Sequence, residues 1–389
     1  MHVAYLCADP GVPVFGSKGS SVHVQEIVRA WQHKGASVKV YCISLGNDRP
    51  VDLEALDIVQ EKLAAAHGSA REEAAAVAAD LLAQRVASEG CDLIYERYSL
   101  FSTALETVKR RLAVPGVLEV NAPLIDEQQR HRQLWDVGRS EAVLRCNASR
   151  ADVVACVSLP VMSWVRARAP QAKTLLTPNG VNVNRIAPRP TGRGPSDRLT
   201  VAFVGTLKPW HGLPGLIEAV ALANARPGTQ PSWSVRIIGD GPMRPVLQAL
   251  AQKLQVATEF TGAVPPDSVP GLLSDCDAAA APYPVPEPGH EDYFSPLKVY
   301  EYMAAAMPTI ATSTGQIPSI INHGSTGILV PAGVPAAFAD ALVALARDPA
   351  LRLRLGQAAR SEAVKRFSWE GVLSKITAAL PPTGTVAVV

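Results

Sequence analysis

Short apolar runs alternate with longer amphipathic segments along the whole chain, a pattern typical of an α/β protein with parallel sheets. Helices are predicted at Ser21 to Lys34, which carries an apolar stripe, and at about Glu72 to Glu89, which is rich in alanine. Strands are predicted at HVAYLC, SVKVYCI, DLIYE, VPGVLEV and DVVACVS in the first half, and at LTVAFVG, SVRIIGDG, TEFTG, DAAAAPY, PTIATS and GILVPAG in the second. The repeated pattern indicates two consecutive parallel sheets.

A polar segment rich in proline and glycine separates the two halves. It runs from Pro188 to Arg198 without hydrophobic periodicity, so we predict a linker there. A chain of 389 residues suits two domains of about 190 residues each. Open parallel sheets bind ligands beyond the carboxyl ends of their strands, so we expect a cleft between the halves.

Composition excludes several classes of function. The formal charge is +2, from 37 basic and 35 acidic residues, which provides no strong field for nucleic acid. No apolar run is long enough to span a bilayer, and Met1 leads into a strand without a signal segment, so we expect a cytoplasmic protein. The basic run Lys109 to Arg111 is predicted to be solvated, with peripheral contact to the inner face of a membrane as the alternative.

The six cysteines form no CxxC pair and have no histidine at metal-ligand spacing. We expect buried free thiols, as in a reducing compartment.

The strongest candidate site lies in Tyr293 to Gly315, YFSPLKVYEYMAAAMPTIATSTG. A helix that starts at Ser295 and Pro296 directs unpaired N–H groups and the positive end of its dipole outward, which favours anions. Lys298 adds a positive charge, and Glu301 lies on the same face and can accept two hydroxyl hydrogen bonds. The pattern predicts binding of phosphate and ribose; an ordinary amphipathic helix is the alternative.

Six motifs follow one another along the chain: GVPVFGSKGSSVHVQEI, TPNGVN, VAFVGTLKPWHG, IIGDGPMR, SPLKVYEYMAAAMP and GSTGILVPAG. Each motif alone is a weak signal, but their order and spacing are highly specific. Together they resemble the retaining glycosyltransferases of family 4 over nearly the whole chain. The resemblance implies the GT-B fold, in which two Rossmann-like domains with parallel sheets face a central cleft. It implies an acceptor domain at 1–187, a donor domain at 188–367, and a C-terminal helix at about 368–389 that packs back on the first domain.

The resemblance also implies an activity. The enzyme would move a sugar from a nucleotide diphosphate sugar to an acceptor hydroxyl without a metal ion or other cofactor. The donor would be a UDP- or GDP-sugar, and the acceptor a small molecule, a glycan or a lipid-linked molecule. The base, the sugar, the acceptor and the oligomeric state are not determined by the sequence.

The loop from Gly11 to Ser21 follows the first strand and has the flexibility to approach a ligand. Gly16 and Gly19 allow close contact between backbone N–H groups and a phosphate, and Ser20 or Ser21 is predicted to cap the next helix. By resemblance, Gly16, Gly19 and Ser20 contact acceptor or donor phosphate. The loop lacks the GxGxxG spacing of a dinucleotide site; a plain turn is the alternative.

The motif VAFVGTLKPWHG joins a strand to a helix through Gly205. Many relatives carry an arginine after this glycine and a lysine at the position of His211, and both neutralise the donor diphosphate. Here Thr206 and His211 stand instead, so we predict that Lys208 and Lys298 replace them. His211 is expected either to be protonated by a bound diphosphate or to cap the turn.

Two further motifs complete the predicted donor site. In GDGP, Gly239 and Gly241 would let a nucleobase or phosphate lie against the backbone, with Arg244 one turn further on, unless the glycines serve only the turn. The family pattern has a glutamate eight residues before Glu301, where this chain has Tyr293, although Glu291 and Asp292 lie just upstream. The remaining predicted donor-binding residues are Phe294, Ser295 and Leu297.

Lys298, Glu301 and Asn121 are the predicted catalytic residues. Asn121 stands where many relatives have a histidine near the reacting carbon; it cannot act as a base but can orient a hydroxyl. Glu119 is expected to support the strand end, and Glu127 to begin a helix. Asp275 and Asp277 form a DxD triplet, which we interpret as coincidence, so no metal site is predicted.

Three alternatives remain open on the sequence. A nucleotide-sugar epimerase on a similar scaffold would alter the donor without an acceptor. A nicotinamide-dependent dehydrogenase is disfavoured by the missing fingerprint. A non-catalytic nucleotide-sugar binding protein would fit the missing glutamate and the lost basic residues.

Overall fold

The structure is a computed structural model that describes residues 1–190, 197–227, 230–286 and 292–382. The chain forms two compact units. Of the described residues, the first unit contains Met1–Asn179, Tyr293–Ser295 and 369–382, and the second contains those within Gly180–Asp292 and Pro296–Ser368. The structure places the first boundary between Asn179 and Gly180, a few residues before the predicted boundary between 187 and 188. The middle of the predicted linker, 191–196, lies outside the described residues.

The first unit is built on a seven-stranded parallel sheet with the order β3-β2-β1-β4-β5-β6-β7. Its strands are β1 His2–Cys7, β2 Ser37–Cys42, β3 Asp57–Gln60, β4 Leu93–Arg97, β5 Gly116–Val120, β6 Val153–Cys156 and β7 Thr174–Leu176. Its helices from the first part of the chain are α1 Gly19–His33, α2 Gly68–Glu89, α3 Ala104–Leu112, α4 Leu124–His131, α5 Val137–Arg150 and α6 Leu159–Arg168, with a 3-10 turn at Val51–Leu53. All five predicted strands are present.

The second unit is built on a six-stranded parallel sheet with the order β10-β9-β8-β11-β12-β13. Its strands are β8 Arg198–Val204, β9 Ser232–Ile238, β10 Thr258–Gly262, β11 Ala278–Ala281, β12 Thr309–Thr312 and β13 Ile328–Val330. Its helices are α7 Leu213–Asn224, α8 Arg244–Lys253, α9 Val269–Ser274, α10 Leu297–Ala304, α11 Ile317–Ile320, α12 Pro335–Arg347 and α13 Pro349–Arg366, with 3-10 turns at Pro209–His211 and Pro266–Ser268. The prediction of two Rossmann-like α/β halves is confirmed.

The last helix, α14 Trp369–Ala378, belongs to the first unit and packs on α1. Lys34 Nζ donates to Ser374 Oγ at 3.1 Å, and His33 Nδ1 lies 3.1 Å from a carboxylate oxygen of Glu370. This helix is separate from α13, which ends at Arg366. Residues 383–389 of the predicted C-terminal helix lie outside the described residues.

Local sequence signals explain where several helices begin. Asp136 accepts a hydrogen bond from the N–H of Arg139 and caps α5, and Asp348 caps α13 in the same way through Leu351. Ser158 caps α6 through the N–H of Val161. Among the described residues, no helix is long and apolar enough to cross a membrane.

All six cysteines are free thiols. Cys7, Cys42, Cys156 and Cys276 are buried, as expected, but Cys91 and Cys146 are partly exposed. The expectation of six buried thiols is therefore wrong for these two.

In each sheet the strand order reverses once, between β1 and β4 in the first unit and between β8 and β11 in the second. Connections on either side of such a point run to opposite faces of the sheet and leave a crevice beyond the carboxyl ends of the strands. These two points are therefore where ligand-binding side chains are expected.

Candidate functional site

Lys298 lies at the point in the second unit where the strand order reverses. Its side chain comes from the first turn of α10 and is buried, with 8% exposed. Nζ lies 4.1 Å from the ring centroid of Phe203, in β8, and 5.2 Å from that of Tyr283, just after β11. Within the described part of the chain this ammonium group has no hydrogen-bond partner.

The aromatic surroundings change the charge of this lysine. Burial lowers the pKa of Lys298 to about 7, although the Glu301 carboxylate favours the protonated form. The charge of this lysine in the ligand-free protein therefore depends on pH near neutrality. A bound anion would restore the charge.

His211 lies against the same two aromatic rings, at 5.6 Å from Phe203 and 5.8 Å from Tyr283 between ring centroids. Burial, and then the charges of Lys298 and Lys208, lower the pKa of His211 to about 3. Its Nδ1 lies 2.5 Å from the carbonyl oxygen of Thr206, so Nδ1 donates this hydrogen bond. The neutral ring caps the turn, which was the alternative prediction.

Lys208 is partly exposed, and its Nζ lies 5.5 Å from the ring centroid of Trp210. It thus remains a candidate for contact with a diphosphate, together with Lys298.

The glycines of GDGP are required by the chain itself. Gly205 and Gly239 have φ of +141° and +142°, and a Cβ on Gly239 would stand 2.1 Å from the carbonyl oxygen of Gly205. A Cβ on Gly241 would stand 2.6 Å from the backbone nitrogen of Leu207. The positions that side chains would take at these two glycines are thus occupied by the protein's own loop, which fits the alternative that the glycines serve the turn, and donor binding at them stays a prediction.

Arg244 is held by a carboxylate in the structure. Its guanidinium donates to Asp240 at 2.7 Å, and lies 5.8 Å from the ring centroid of Phe260. A ligand at this site would have to compete with Asp240 for the charge of Arg244.

Glu301 lies one turn after Lys298 and is largely buried. One charged neighbour in the second unit is Arg185, whose Nη2 lies 3.9 Å from Glu301 Oε1. Arg185 was not identified from the sequence, because it stands outside the motifs.

In the first unit, Glu119 at the end of β5 collects four polar side chains. It accepts hydrogen bonds from His23 Nε2 at 2.8 Å, Tyr95 Oη at 2.7 Å and Asn121 Nδ2 at 3.0 Å, and Arg97 Nη1 lies 3.6 Å away. Burial alone would raise the pKa of Glu119, but the His23 charge and hydrogen bond, with Arg97 and Tyr95, lower it to about 2. Glu119 supports the strand end, and it fixes Asn121 beyond it.

The predicted donor-binding segment is divided between the two units. Tyr293, Phe294 and Ser295 belong to the first unit, whereas Leu297, Lys298 and Glu301 belong to the second. The Tyr293 hydroxyl donates to Glu127, so the residue that replaces the family glutamate is itself paired with a glutamate. Asp292 accepts a hydrogen bond from Thr314 in the second unit, and Glu291 lies outside the described residues.

The loop from Gly11 to Ser21 in the first unit is held by Gln25, whose side-chain nitrogen donates to the carbonyl oxygens of Val14 and Gly16 at 3.0 and 3.2 Å. Helix α1 already begins at Gly19, after Lys18, and no side chain caps it. The predicted cap by Ser20 or Ser21 is therefore wrong, because both lie within the first turn. Gly19 is exposed, and Gly16 and Ser20 are partly exposed.

The DxD triplet has structural partners. Asp277 Oδ2 accepts the backbone N–H of Thr200 at 2.9 Å, and Asp275 lies 3.9 Å from the guanidinium of Arg236. In the described ranges, no three His, Cys, Asp or Glu side chains are grouped so as to hold a metal ion.

Two parallel-sheet Rossmann-like halves define the GT-B class of glycosyltransferase fold, and solved structures of that class resemble this chain. Sucrose-phosphate synthase from Thermosynechococcus elongatus matches with a TM-score of 0.75 and 19% identity, over 97% of this chain and 98% of that one. HepE from Anabaena, solved in complex with UDP, matches with a TM-score of 0.69 and 19% identity, over 97% and 99%.

Sequence comparison identifies the family. The family model described as "Glycosyltransferase Family 4" matches residues 17–185, and the one described as "Glycosyl transferases group 1" matches residues 198–348. D-inositol 3-phosphate glycosyltransferase of Actinosynnema mirum is 28% identical over 93% of this chain and 91% of its own length. The protein of the same name from Corynebacterium jeikeium is 32% identical, but the match spans only about half of each chain, 54% of this one and 52% of that one. This chain belongs to the family 4 glycosyltransferases.

Proposed function

We propose that this glycosyltransferase moves a sugar from a UDP- or GDP-sugar to an acceptor hydroxyl with retention of the anomeric configuration and without a metal ion. The observation that carries the proposal is Lys298. A buried amine without a hydrogen-bond partner in the described chain, at the reversal point of a parallel sheet and at the start of a helix, needs an anion to compensate it.

A donor diphosphate fits this need better than a single carboxylate. Its negative charge would raise the pKa of Lys298 again and keep the amine protonated. The first-turn N–H groups of α10 add the positive end of the helix dipole, and Lys208 adds a second cation whose charge, like that of Lys298, acts on His211. Neutral His211 offers Nε2 as an acceptor rather than a charge.

Glu301 would bind the ribose hydroxyls of the nucleotide. A carboxylate at this position can accept two hydrogen bonds from adjacent hydroxyl groups, and the guanidinium of Arg185 lies 3.9 Å from it. Loss of Glu301 should therefore weaken the nucleotide as a whole and not the sugar alone.

In the proposed reaction, the bond between the sugar C1 and the departing diphosphate oxygen breaks, and a bond forms between C1 and the acceptor oxygen on the same face. The acceptor proton passes to the departing phosphate oxygen. Lys298 and the helix N–H groups stabilise the negative charge that develops on this diphosphate. Asn121, fixed by its hydrogen bond to Glu119, would orient a hydroxyl in the first unit.

The curated relatives guide the choice of substrates. One is named GDP-mannose-dependent alpha-(1-6)-phosphatidylinositol monomannoside mannosyltransferase, from Mycobacterium tuberculosis, and is 28% identical over 61% of this chain and 63% of its own length. Others are named for D-inositol 3-phosphate. We therefore propose acceptors that carry a polyol, either as a soluble phosphate ester or on a lipid.

The test begins with thermal unfolding in the presence of UDP, GDP, UDP-glucose and GDP-mannose. A ligand at about 100 times its Kd stabilises the folded state by about 2.7 kcal/mol, which is a shift of several degrees for domains of this size. We expect such a shift with at least one nucleotide, and its loss in Lys298→Met and Glu301→Ala. Equal shifts in these variants and the wild type would disprove the assigned site.

Turnover is then measured with the stabilising donor and an acceptor panel of myo-inositol phosphates and phosphatidylinositol. Transfer product with the donor's anomeric configuration supports the proposal. An altered donor without acceptor would indicate an epimerase, and binding without turnover on any acceptor would indicate a binding protein.

A further inference from the structure

His23 occupies a buried position in the first unit with a polar group on each side of its ring. Only 5% of the residue is exposed. Nε2 lies 2.8 Å from Glu119 Oε1, and Nδ1 lies 2.9 Å from Asn179 Oδ1. The edge of the ring also meets Trp369 of α14, at 4.8 Å between ring centroids. The sequence motif around His23 did not predict any role for this residue.

The hydrogen bonds of Asn179 fix which of its atoms faces His23. Its side-chain nitrogen donates to the backbone carbonyl oxygen of Ser295 at 2.8 Å, and a carbonyl oxygen can only accept. The remaining atom, Oδ1, therefore faces His23 Nδ1 and must accept. Nδ1 carries a proton.

The other ring nitrogen must carry a proton as well. Glu119 already accepts from Tyr95 and Asn121, and it lies beside the guanidinium of Arg97, so every polar neighbour of this carboxylate is a donor. A carboxylate accepts from Nε2 and cannot donate to it. Both nitrogens of His23 therefore donate, which is possible only for an imidazolium. The charged groups around it are Glu119, with Arg97 beyond that carboxylate, and Glu26 and Arg29 further along the same helix.

The same contacts hold the segment that leads into the predicted donor site. The backbone N–H of Asn179 donates to Ser295 Oγ at 3.1 Å, in addition to the bond from its side chain to the Ser295 carbonyl oxygen. Ser295 is 8% exposed and is followed, after Pro296, by α10 with Lys298. The Tyr293 hydroxyl bond to Glu127 anchors the other end of the same tripeptide in the first unit.

We propose that His23 donates a hydrogen bond from each ring nitrogen, to Glu119 and to Asn179, and acts through Asn179 as a positioning residue for the segment Tyr293–Ser295, which the chain joins to the donor-binding helix through Pro296. This inference rests on the proposed function for its consequence in catalysis. The charge state of His23 does not depend on it. Removal of the Asn179 side chain leaves Ser295 with fewer fixed contacts and leaves a histidine N–H buried without an acceptor.

The charge state is tested by NMR of protein labelled with nitrogen-15 in histidine. At pH 7 we expect one histidine with protons on both ring nitrogens, and we expect its signals to be absent from His23→Gln. His33→Gln, at the exposed end of the same helix, is the matched control and should retain them. A His23 spectrum with one unprotonated ring nitrogen would overturn the imidazolium assignment.

The positioning role is tested by titrating UDP and GDP into the Asn179→Ala variant and by measuring the KM of this variant for the sugar donor. We expect Kd and donor KM to rise about 5- to 10-fold, the effect of one lost hydrogen bond at a buried carbonyl, with a smaller change in kcat. Asn184→Ala changes an exposed asparagine a little further along the chain from Asn179, and this control variant should match the wild type. A folded Asn179→Ala protein, with a cooperative melting transition, that binds nucleotide as the wild type does would refute the positioning role.

The two arms separate this inference from the proposed function. If the wild type binds neither nucleotide nor any nucleotide sugar, the proposed function fails, and the NMR result alone decides the state of His23. If the wild type binds nucleotide, and Asn179→Ala binds it more weakly while Asn184→Ala does not, the positioning role is supported. Rescue is tested with Asn179→Gln, which keeps one donor and one acceptor and should bind more tightly than Asn179→Ala.

Discussion

Gly239 lies directly against Gly205, so close that a Cβ on Gly239 would stand 2.1 Å from the carbonyl oxygen of Gly205. Both residues have positive φ angles, and both follow the carboxyl ends of neighbouring strands, β9 and β8. The two turns therefore form one packed layer beneath Lys298, whose Nζ would lie 3.2 Å from a Cβ on Gly205.

This contact predicts that Gly239→Ala destabilises the protein. The added methyl group would clash with backbone and the φ angle would be strained, at a cost of about 2–4 kcal/mol. Urea unfolding measures the loss. Gly215→Ala in α7, where nothing lies within 4 Å of the new Cβ, is the control and should be neutral or stabilising by up to about 1 kcal/mol. A Gly239→Ala variant as stable as the wild type would show that the two turns separate easily.

The low pKa of Lys298 predicts that nucleotide diphosphate binding takes up a proton above neutral pH. The free amine titrates at about 7, and a bound diphosphate favours its charged form. Above pH 7 the affinity should therefore fall by up to about tenfold per pH unit until the pKa of the complex is reached. Calorimetric titration of UDP or GDP at pH 8, in buffers of different ionisation enthalpy, counts the protons. If no protons were taken up on nucleotide binding at pH 8, the prediction would be contradicted.

The same lysine predicts a conflict between stability and binding. Its pKa is about 7 in the folded protein, whereas a solvated lysine has a pKa of 10.5, so between these values the unfolded chain binds more protons and stability should rise with pH. Lys298→Met removes the cost of burying the charge and should stabilise the protein at pH 7 by a few kcal/mol. The control variant Lys253→Met, at an exposed position of α8, should not stabilise the protein. Destabilisation by Lys298→Met would indicate that the amine has a partner in solution.

Sequence periodicity predicted much of the fold because most strands are buried on both faces and appear as continuous apolar runs. Strands β3 and β7 were not predicted; both lie at sheet edges and are only partly buried, and neither appears in the sequence as a long apolar run. Lys298 and Glu301 could be proposed from a local motif. His23, Asn179 and Arg185 could not, because their roles depend on contacts between residues far apart in sequence, such as the 156 residues that separate His23 from Asn179.

Glycines and charges were also harder to interpret. The sequence shows that Gly239 lacks a side chain, but it does not show whether a ligand or the chain itself fills the space. Likewise, a lysine in a motif is assumed to be charged, whereas the charge of Lys298 depends on Phe203 and Tyr283, which are distant in sequence.

The DxD triplet predicts an outcome for a metal test. Because Asp277 accepts the N–H of Thr200 through Oδ2, Asp277→Asn can retain this hydrogen bond through its amide oxygen. We expect transfer activity in this variant to be close to that of the wild type, and both to be insensitive to EDTA. Activity that is lost on chelation, and restored by Mg²⁺ or Mn²⁺ only in the wild type, would assign the triplet to a metal after all.

Glu96 predicts how stability depends on pH in the first unit. This β4 residue is fully buried; its Oε2 accepts the N–H of Leu105 at 2.7 Å, and its Oε1 has no hydrogen-bond partner in the described chain. Burial raises the pKa of Glu96 to about 7, against the lowering effect of hydrogen bonds from Ser102 and Leu105. The folded protein thus binds a proton that the unfolded chain releases above about 4.5.

Stability should accordingly fall as pH rises from about 4.5 to 7, by about 3 kcal/mol from this one group. Glu96→Gln keeps an oxygen for the N–H of Leu105 but does not titrate, so its free energy of unfolding should change less over this range. Urea unfolding at pH 5 and pH 8 compares the two proteins, with Glu54→Gln at an exposed position as the control. Parallel curves for Glu96→Gln and the wild type would mean that water or a local rearrangement solvates this carboxyl group.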